Sequence, residues 1–146
     1  MKKSILLLIV LMTTFISTAQ ITEVEKSEVL SKVSLLGDLI GELNKVPNQD
    51  AYFVSYKDFK FTTLTDHKSF VIGNKETVLQ FKNIMLDMIK NKTKEKEIEL
   101  EGNFIRFVKR ANTIETYIIN KAGVTSKMRW MNKKHINKLF PTDKLK

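Results

Sequence analysis

The apolar residues between Thr77 and Trp130 change their spacing once, and the change predicts a helix followed by a sheet. In Thr77–Asn91 they recur every three or four residues, which is typical of an amphipathic helix with one broad buried face. Asn74 is placed to cap the start of this helix. In Glu97–Glu101 acidic and aliphatic residues alternate, as in a strand with one solvated face. The segment therefore predicts a central helix packed on an antiparallel sheet.

The first turn of this sheet is predicted at Gly102-Asn103, a dipeptide suited to a two-residue hairpin. Pairing across it sets Glu99 opposite Arg106 on the outer face, where an opposite-charge pair stabilises a sheet by up to about 1 kcal/mol. The inward-facing residues are then Ile98, Leu100, Ile105 and Phe107. A slip of one residue would bury Arg106, so the hydrophobic pattern and the turn support the same register.

Two further turns, at Ala111-Asn112 and at residues 121–123, complete a four-stranded antiparallel meander. The pairs expected on its outer face are Arg106 with Tyr117, Tyr117 with Lys127, and Glu115 with Arg129. Met128 and Trp130 are expected to face inward. After the meander, Asn132–Phe140 is predicted to form a short helix that ends before a proline.

The first half of the chain is predicted to contain a helix and a hairpin. The apolar residues of Ile21–Val46 step mainly by three and four, at Val29, Val33, Leu36, Ile40 and Leu43. Tyr52–Ile72 has strand composition, and a turn at Asp66-His67 would pair Thr63 with Phe70 and Phe61 with Ile72. This hairpin either extends the meander or forms a second sheet.

The predicted fold class is therefore α+β. Its elements, in chain order, are an N-terminal helix, a β-hairpin, a central amphipathic helix, a four-stranded antiparallel meander and a short C-terminal helix.

The first 19 residues have the three parts of a secretory signal peptide. Lys2-Lys3 is followed by the apolar run Ile5–Ile16 and then by the small residues Ser17-Thr18-Ala19. Cleavage would leave a single domain of residues 20–146 with a loose C-terminal tail. An uncleaved anchor is the alternative, but the apolar run is shorter than the roughly 20 residues that span a bilayer. We expect export to the periplasm or outside of a bacterial cell, and a mature form that does not span the membrane.

The chain contains no cysteine, which excludes disulfides, thiol nucleophiles, zinc–thiolate sites and a lipid-modified N-terminal cysteine. His67 and His135 are the only histidines, and they lie far apart without metal-ligand spacing. The sequence has no glycine-rich phosphate loop and no serine-nucleophile motif. We therefore predict no cofactor, no metal site and no catalytic residues.

Basic residues are concentrated in the second half of the chain. Residues 82–146 contain 16 basic and 7 acidic residues, a net charge of +9, whereas residues 20–81 contain 7 and 9, a net charge of −2. Such asymmetry is typical of a surface that binds anions, although solubility alone is an alternative explanation. The candidate residues for binding an anion or a partner are Arg129, Lys133, Lys134, Lys138, Lys127, Arg106 and Tyr117.

These features predict a small, non-catalytic binding or accessory protein. Its partner is expected to be an unknown protein or an anionic component of the cell envelope, and nucleic acid is not expected after export. The first alternative is a carboxylate-dependent hydrolase that uses Asp58 and Asp66, with His67. The second is assembly through an exposed helix at Val29–Leu43.

Cleavage of the leader can be checked at the N-terminus of the exported protein. Because small residues precede Gln20, mass spectrometry should find a chain that begins at or near this residue. A chain that still begins with Met1 would contradict processing.

Overall fold

A computed structural model describes residues 26–61, 63 and 65–145, which form two four-stranded antiparallel sheets and two helices. The first sheet contains, in chain order, β1 (Glu28–Leu35), β2 (Asp38–Lys45), β3 (Tyr52–Lys57) and β4 (His67–Gly73). Helix α1 (Lys75–Lys90) leads to the second sheet, which contains β5 (Glu95–Leu100), β6 (Asn103–Arg110), β7 (Thr113–Ile119) and β8 (Thr125–Asn132). Helix α2 (Lys133–Leu139) and a 3-10 turn (Thr142–Lys144) follow. Each half is thus a meander followed by a helix.

Phe81, in the middle of α1, joins both sheets to the C-terminal segment. Its ring centroid lies 5.9 Å from that of Phe70 in β4, 5.1 Å from that of Phe107 in β6 and 5.6 Å from that of Phe140. Asn74 caps the helix by accepting a hydrogen bond from the Thr77 backbone N–H at 3.0 Å. The predicted central helix and its cap are confirmed.

The predicted N-terminal helix is wrong, because residues 28–45 form β1 and β2. Residues 21–25 of the predicted helix lie outside the described residues. With two four-stranded sheets the chain is mostly β, so the predicted α+β fold class is wrong as well. The helix on which assembly through Val29–Leu43 depended is therefore absent, and its residues are strands instead.

Two irregularities in the β1–β2 pairing explain this error. The register shifts between Val29 and Ser31 and again between Val33 and Ser34. At each shift one strand contains an extra residue, and beyond it the alternation of inward-facing and outward-facing side chains is offset by one residue. The buried apolar residues of the two strands, Leu30, Val33, Ile40 and Leu43, consequently lie three apart within each strand. A spacing of three imitates the period of a helix.

The predicted hairpin between Tyr52 and Ile72 exists, but its turn and register are wrong. β3 ends at Lys57 and β4 begins at His67, so Val54 rather than Thr63 pairs with Phe70. The long connection between the strands is closed by a hydrogen bond from the Asp58 backbone N–H to the Asp66 carbonyl, at 2.7 Å. This hairpin pairs with β2 in the first sheet and does not extend the second.

The predicted meander is confirmed, but its first turn lies one residue earlier than expected. Glu101 and Gly102 form the turn with positive φ angles of 48° and 76°, as a type I′ turn requires. Arg106 consequently pairs with Glu97 rather than with Glu99. The residue opposite Arg106 differs from the predicted one by two positions. Because side chains alternate between the two faces of a strand, the same side chains still face inward as predicted.

The other two turns of the meander give the predicted cross-strand row, in which Tyr117 pairs with both Arg106 and Lys127. Beyond this row the register between β7 and β8 shifts by one residue. The pair Thr116–Met128 is followed by the pair Ile114–Met131, so β8 contains one residue more than β7 over this stretch. Met128 and Met131 are therefore both buried, while Trp130 is 39% exposed. The inward orientation predicted for Met128 is confirmed, and that of Trp130 is wrong.

The C-terminal segment packs on the core. The predicted short helix is confirmed as α2, with Ile136 and Leu139 buried. Leu145 is 3% exposed, and the Lys144 ammonium donates to the Leu30 carbonyl at 3.2 Å. In the tail expected to be loose, Lys144 is thus bonded to β1 and Leu145 is buried. The predicted signal peptide, residues 1–19, lies outside the described residues.

Gly41 of β2 allows α2 and β8 to approach the first sheet. A Cβ atom at this position would lie 2.9 Å from Leu139 Cδ2 and 3.3 Å from Met128 Cε. These atoms belong to elements of the second half, so a larger residue at Gly41 would displace the ends of the Leu139 and Met128 side chains within the core.

We therefore expect Gly41→Val to lower the free energy of unfolding by about 1–3 kcal/mol, measured by urea denaturation. The matched control is Ser69→Val, at an exposed position of β4, which should change it by no more than about 0.5 kcal/mol. Combining Gly41→Val with Leu139→Ala should cost less than the sum of the two single losses. Additive losses would contradict the contact.

Candidate ligand-binding groove

The two sheets are joined where β3 ends beside β8. Asp58 follows β3, and its side chain is 0% exposed. Its carboxylate accepts hydrogen bonds from the backbone N–H groups of Lys60 and Lys127, at 2.9 and 3.0 Å, and from the Lys68 ammonium at 2.8 Å. The Phe59 backbone N–H donates to the Lys127 carbonyl at 2.8 Å. These bonds fix Phe59 beside β8.

Asp58 is ionised and structural. Burial alone would raise its pKa, but the hydrogen bonds from Lys68 and the two backbone amides outweigh burial and hold the pKa below its ordinary value. The same carboxylate raises the pKa of Lys68. Asp66 is 3.5 Å from Lys68 with a half-exposed side chain, and His67 is exposed. These contacts supply no acid–base pair, and the hydrolase alternative stays an untested prediction.

A small hollow of about 210 Å³ beside this junction contains the hydroxyls of Tyr56 and Ser126. The two oxygens are 2.7 Å apart. Burial raises the pKa of Tyr56, so the phenol stays neutral. Lys68, whose pKa is also raised, stays protonated. Neither group can act as the base that would activate Ser126 as a nucleophile.

An open groove of about 330 Å³ lies on the other side of the junction. We term it the Trp130 groove. It is lined by Asp38 and Lys57 from the first sheet, by Phe59, and by Lys127, Arg129 and Trp130 from β8.

Cationic side chains lie over aromatic rings in the Trp130 groove. The Arg129 guanidinium carbon is 5.3 Å from the ring centroid of Phe59 and 5.8 Å from that of Trp130. The Lys57 ammonium is 5.3 Å from the Phe59 centroid. Such a contact contributes about 0.5–1 kcal/mol at an exposed site and about 2 kcal/mol when desolvated, and the side chains of Lys57 and Arg129 are only 12% and 18% exposed. The rings therefore hold these cations in defined positions around one groove.

Asp38, in β2 of the first sheet, neutralises part of the positive charge of Lys57 and Arg129. Its carboxylate lies 2.7 Å from the Lys57 ammonium and 3.5 Å from Arg129 Nη1. The hydrogen bond from Lys57 lowers the pKa of Asp38, which is therefore ionised at neutral pH.

Lys127 belongs to a second charged cluster on the outer face of β7 and β8. Its ammonium donates to Glu115 at 2.9 Å and lies 5.3 Å from the ring centroid of Tyr117, whose hydroxyl donates to Glu115 at 3.0 Å. Burial would raise the pKa of Glu115, but the hydrogen bonds from Lys127 and Tyr117 lower it overall. Counting Lys57, Lys127 and Arg129 against Asp38 and Glu115, three cations face two carboxylates.

Several predicted site residues thus share one surface. Arg106, Tyr117 and Lys127 form a row across β6, β7 and β8, and Arg129 follows in β8. Arg106 lies outside the groove lining and pairs with Glu97 at 3.0 Å.

The three predicted lysines of α2 do not line the Trp130 groove. Lys133, Lys134 and Lys138 are exposed, and His135 between them has its ring centroid 6.1 Å from that of Trp130. Burial and the neighbouring cations lower the pKa of His135, so this ring is neutral at pH 7.

The prediction missed Asp38, Lys57 and Phe59 as site residues and misplaced Trp130. Asp38 lies in the segment predicted to be helical, and only the junction of the sheets brings it to β8. A usable signal did exist for Trp130, because two methionines three apart within a strand, Met128 and Met131, indicate a bulge.

No protein-family model, no curated protein and no solved structure matches this chain. The described residues contain no group of three or more side chains able to hold a metal ion. They also contain no helix long and apolar enough to cross a bilayer.

Proposed function

We propose that the protein is a non-catalytic binding protein that holds an anionic ligand in the Trp130 groove. The observation that carries this proposal is the Arg129 guanidinium, which lies over the rings of Phe59 and Trp130 in the lining of an open groove. Arginine and tryptophan are the residues most enriched at the energetic centres of binding surfaces.

The fixed positions of the cations favour binding. Long basic side chains lose rotamer freedom when they bind a ligand, at a cost of about 0.5–1.5 kcal/mol each. In the groove, the rings already restrain Lys57 and Arg129. A carboxylate, sulfate or phosphate that meets them gains charge-assisted hydrogen bonds with little of that cost.

Asp38 occupies the place that such an anion would take. It is the acidic residue of the groove lining and already contacts both Lys57 and Arg129. An incoming anion must compete with it, so Asp38 lowers the affinity of the site. Its removal should release the Lys57 ammonium and leave Arg129 Nη1 with the Leu35 carbonyl, at 3.4 Å.

The predicted leader puts this groove outside the cytoplasm. An exported protein would meet anionic components of the cell envelope, which is the partner class that the charge of the second half favours. We therefore propose that the protein acts in the periplasm or at the cell exterior as an accessory protein for such a component.

Binding to heparin, measured by titration calorimetry at low and physiological salt, tests the groove. Arg129→Gln should weaken binding about tenfold, since one charge-assisted hydrogen bond contributes about 1.5 kcal/mol. The matched control is Lys92→Gln, which removes the same charge from the exposed α1–β5 connection and should change affinity by no more than about twofold. Equal effects of the two variants would contradict a specific site.

Asp38→Asn gives a second test, because it should strengthen heparin binding by a few-fold. The reason is that Lys57 and Arg129 lose a competing carboxylate. Damage to the fold weakens binding, so a gain cannot come from misfolding. Unchanged or weaker binding by Asp38→Asn would contradict the proposed competition.

A further inference from the structure

The Trp130 groove adjoins the outer face of the first sheet at the ion pair between Asp38 and Lys57. A second hollow of about 500 Å³ lies there, and Asp38 and Lys57 line both spaces. We term this second space the sheet hollow. Sites for small molecules occupy about 300–1,000 Å³, so the two adjoining spaces together offer more room than a single small anion fills.

The sheet hollow is lined mainly by hydroxyl-bearing and charged side chains. They include Ser34, Ser55, Thr65, Lys32, Glu42 and His67. The Lys32 ammonium lies 3.7 Å from Glu42, and the Lys32 side chain is 60% exposed. Such an exposed pair is held weakly, so both groups can turn to a ligand. Together these side chains donate and accept hydrogen bonds as a ligand rich in hydroxyl groups requires.

A peptide fits this lining poorly. β2 and β3, which supply half of the residues that line the sheet hollow, are inner strands whose backbone groups pair with neighbours on both sides. Strand addition needs an open sheet edge, and docking of a helix needs an apolar groove. Among the residues that the structure describes, Leu39 is the one large apolar residue that lines the sheet hollow.

We propose that the Trp130 groove and the sheet hollow form one continuous site for a linear acidic polysaccharide. The proposal rests on the proposed anion-binding function and names the ligand class of the same site. The exposed ring of Trp130 packs on the apolar face of a sugar ring, and Arg129 and Lys57 bind its carboxylate or sulfate groups. Neighbouring sugars extend over Ser55 and Glu42, where their hydroxyls find donors and acceptors.

Calorimetry with size-defined heparin fragments tests this arrangement. A hexasaccharide should bind at least about tenfold more tightly than a disaccharide, because only the longer chain reaches both spaces. Ser55→Tyr fills the sheet hollow without changing the charge, on the outer face of an inner strand that suits tyrosine. It should weaken binding of the hexasaccharide more than binding of the disaccharide, and so remove most of the gain from chain length. Circular dichroism and the melting temperature check that the variant is folded.

The possible outcomes distinguish a failure of the polysaccharide proposal from a failure of the proposed anion-binding function. If the two fragments bind equally and Arg129→Gln still weakens both, the anion site stands and the polysaccharide proposal is overturned. If poly-aspartate binds as tightly as the hexasaccharide and loses affinity with Ser55→Tyr, the occupant is an acidic peptide and the proposal is again overturned. If Arg129→Gln and Lys92→Gln act alike on every probe, the proposed function itself fails. A size-dependent gain that Ser55→Tyr abolishes supports the polysaccharide.

Discussion

One buried carboxylate links the two halves of this protein. Asp58 receives hydrogen bonds from β4, through Lys68, and from the backbone of β8 at Lys127. Its neighbour Phe59 completes the link by donating to the Lys127 carbonyl. The carboxylate is buried, and a buried charge is tolerated only when its hydrogen-bonding capacity is filled. The same bonds that align the sheets also place the Phe59 ring under Arg129, so the candidate groove depends on the junction.

Helix α1 and its neighbours could be predicted because their patterns are regular. The α1 face follows the helical period without interruption, and Asn74 marks its start. In the meander, Ile105 and Phe107 alternate with Arg106, which cannot be buried. A local pattern that agrees with its long-range packing is the case in which sequence alone is informative.

Two of the failures share one physical cause, which is the β-bulge. In β1 and β2 the register shifts spaced the buried residues by three, so a hairpin had the apolar pattern of a helix. In β8 the extra residue turned Trp130 from the core to the surface and placed it next to Arg129. The bulge that made the prediction for Trp130 wrong also places this residue in the candidate site, and bulges are common next to functional residues. Phe59 was missed for a different reason, since only a tertiary contact brings it to β8.

The basic charge of the second half has more than one use. Lys82 donates to the Phe140 carbonyl at the end of α2, and Lys109 donates to the Ile89 and Asn91 carbonyls at the end of α1. A cation at a helix C-terminus satisfies carbonyls that have no partner within the helix. Net charge is therefore a poor guide to a binding surface, and the contacts of each cation are a better one. Arg129 stands out because it is placed by aromatic rings at an open groove.

The most direct measurement is the free energy of unfolding of Asp58→Asn as a function of pH. At pH 7 the variant should lose about 2 kcal/mol relative to the parent protein, because charge-assisted hydrogen bonds are weakened. The folded-state pKa of Asp58 lies below its ordinary value, so its stabilisation is present above about pH 4 and is lost as the pH falls through the folded-state pKa. The difference between the two proteins should therefore shrink as the pH falls below about 4. Equal stability at pH 7, or a difference that persists unchanged in acid, would contradict the role of Asp58 as the link between the sheets.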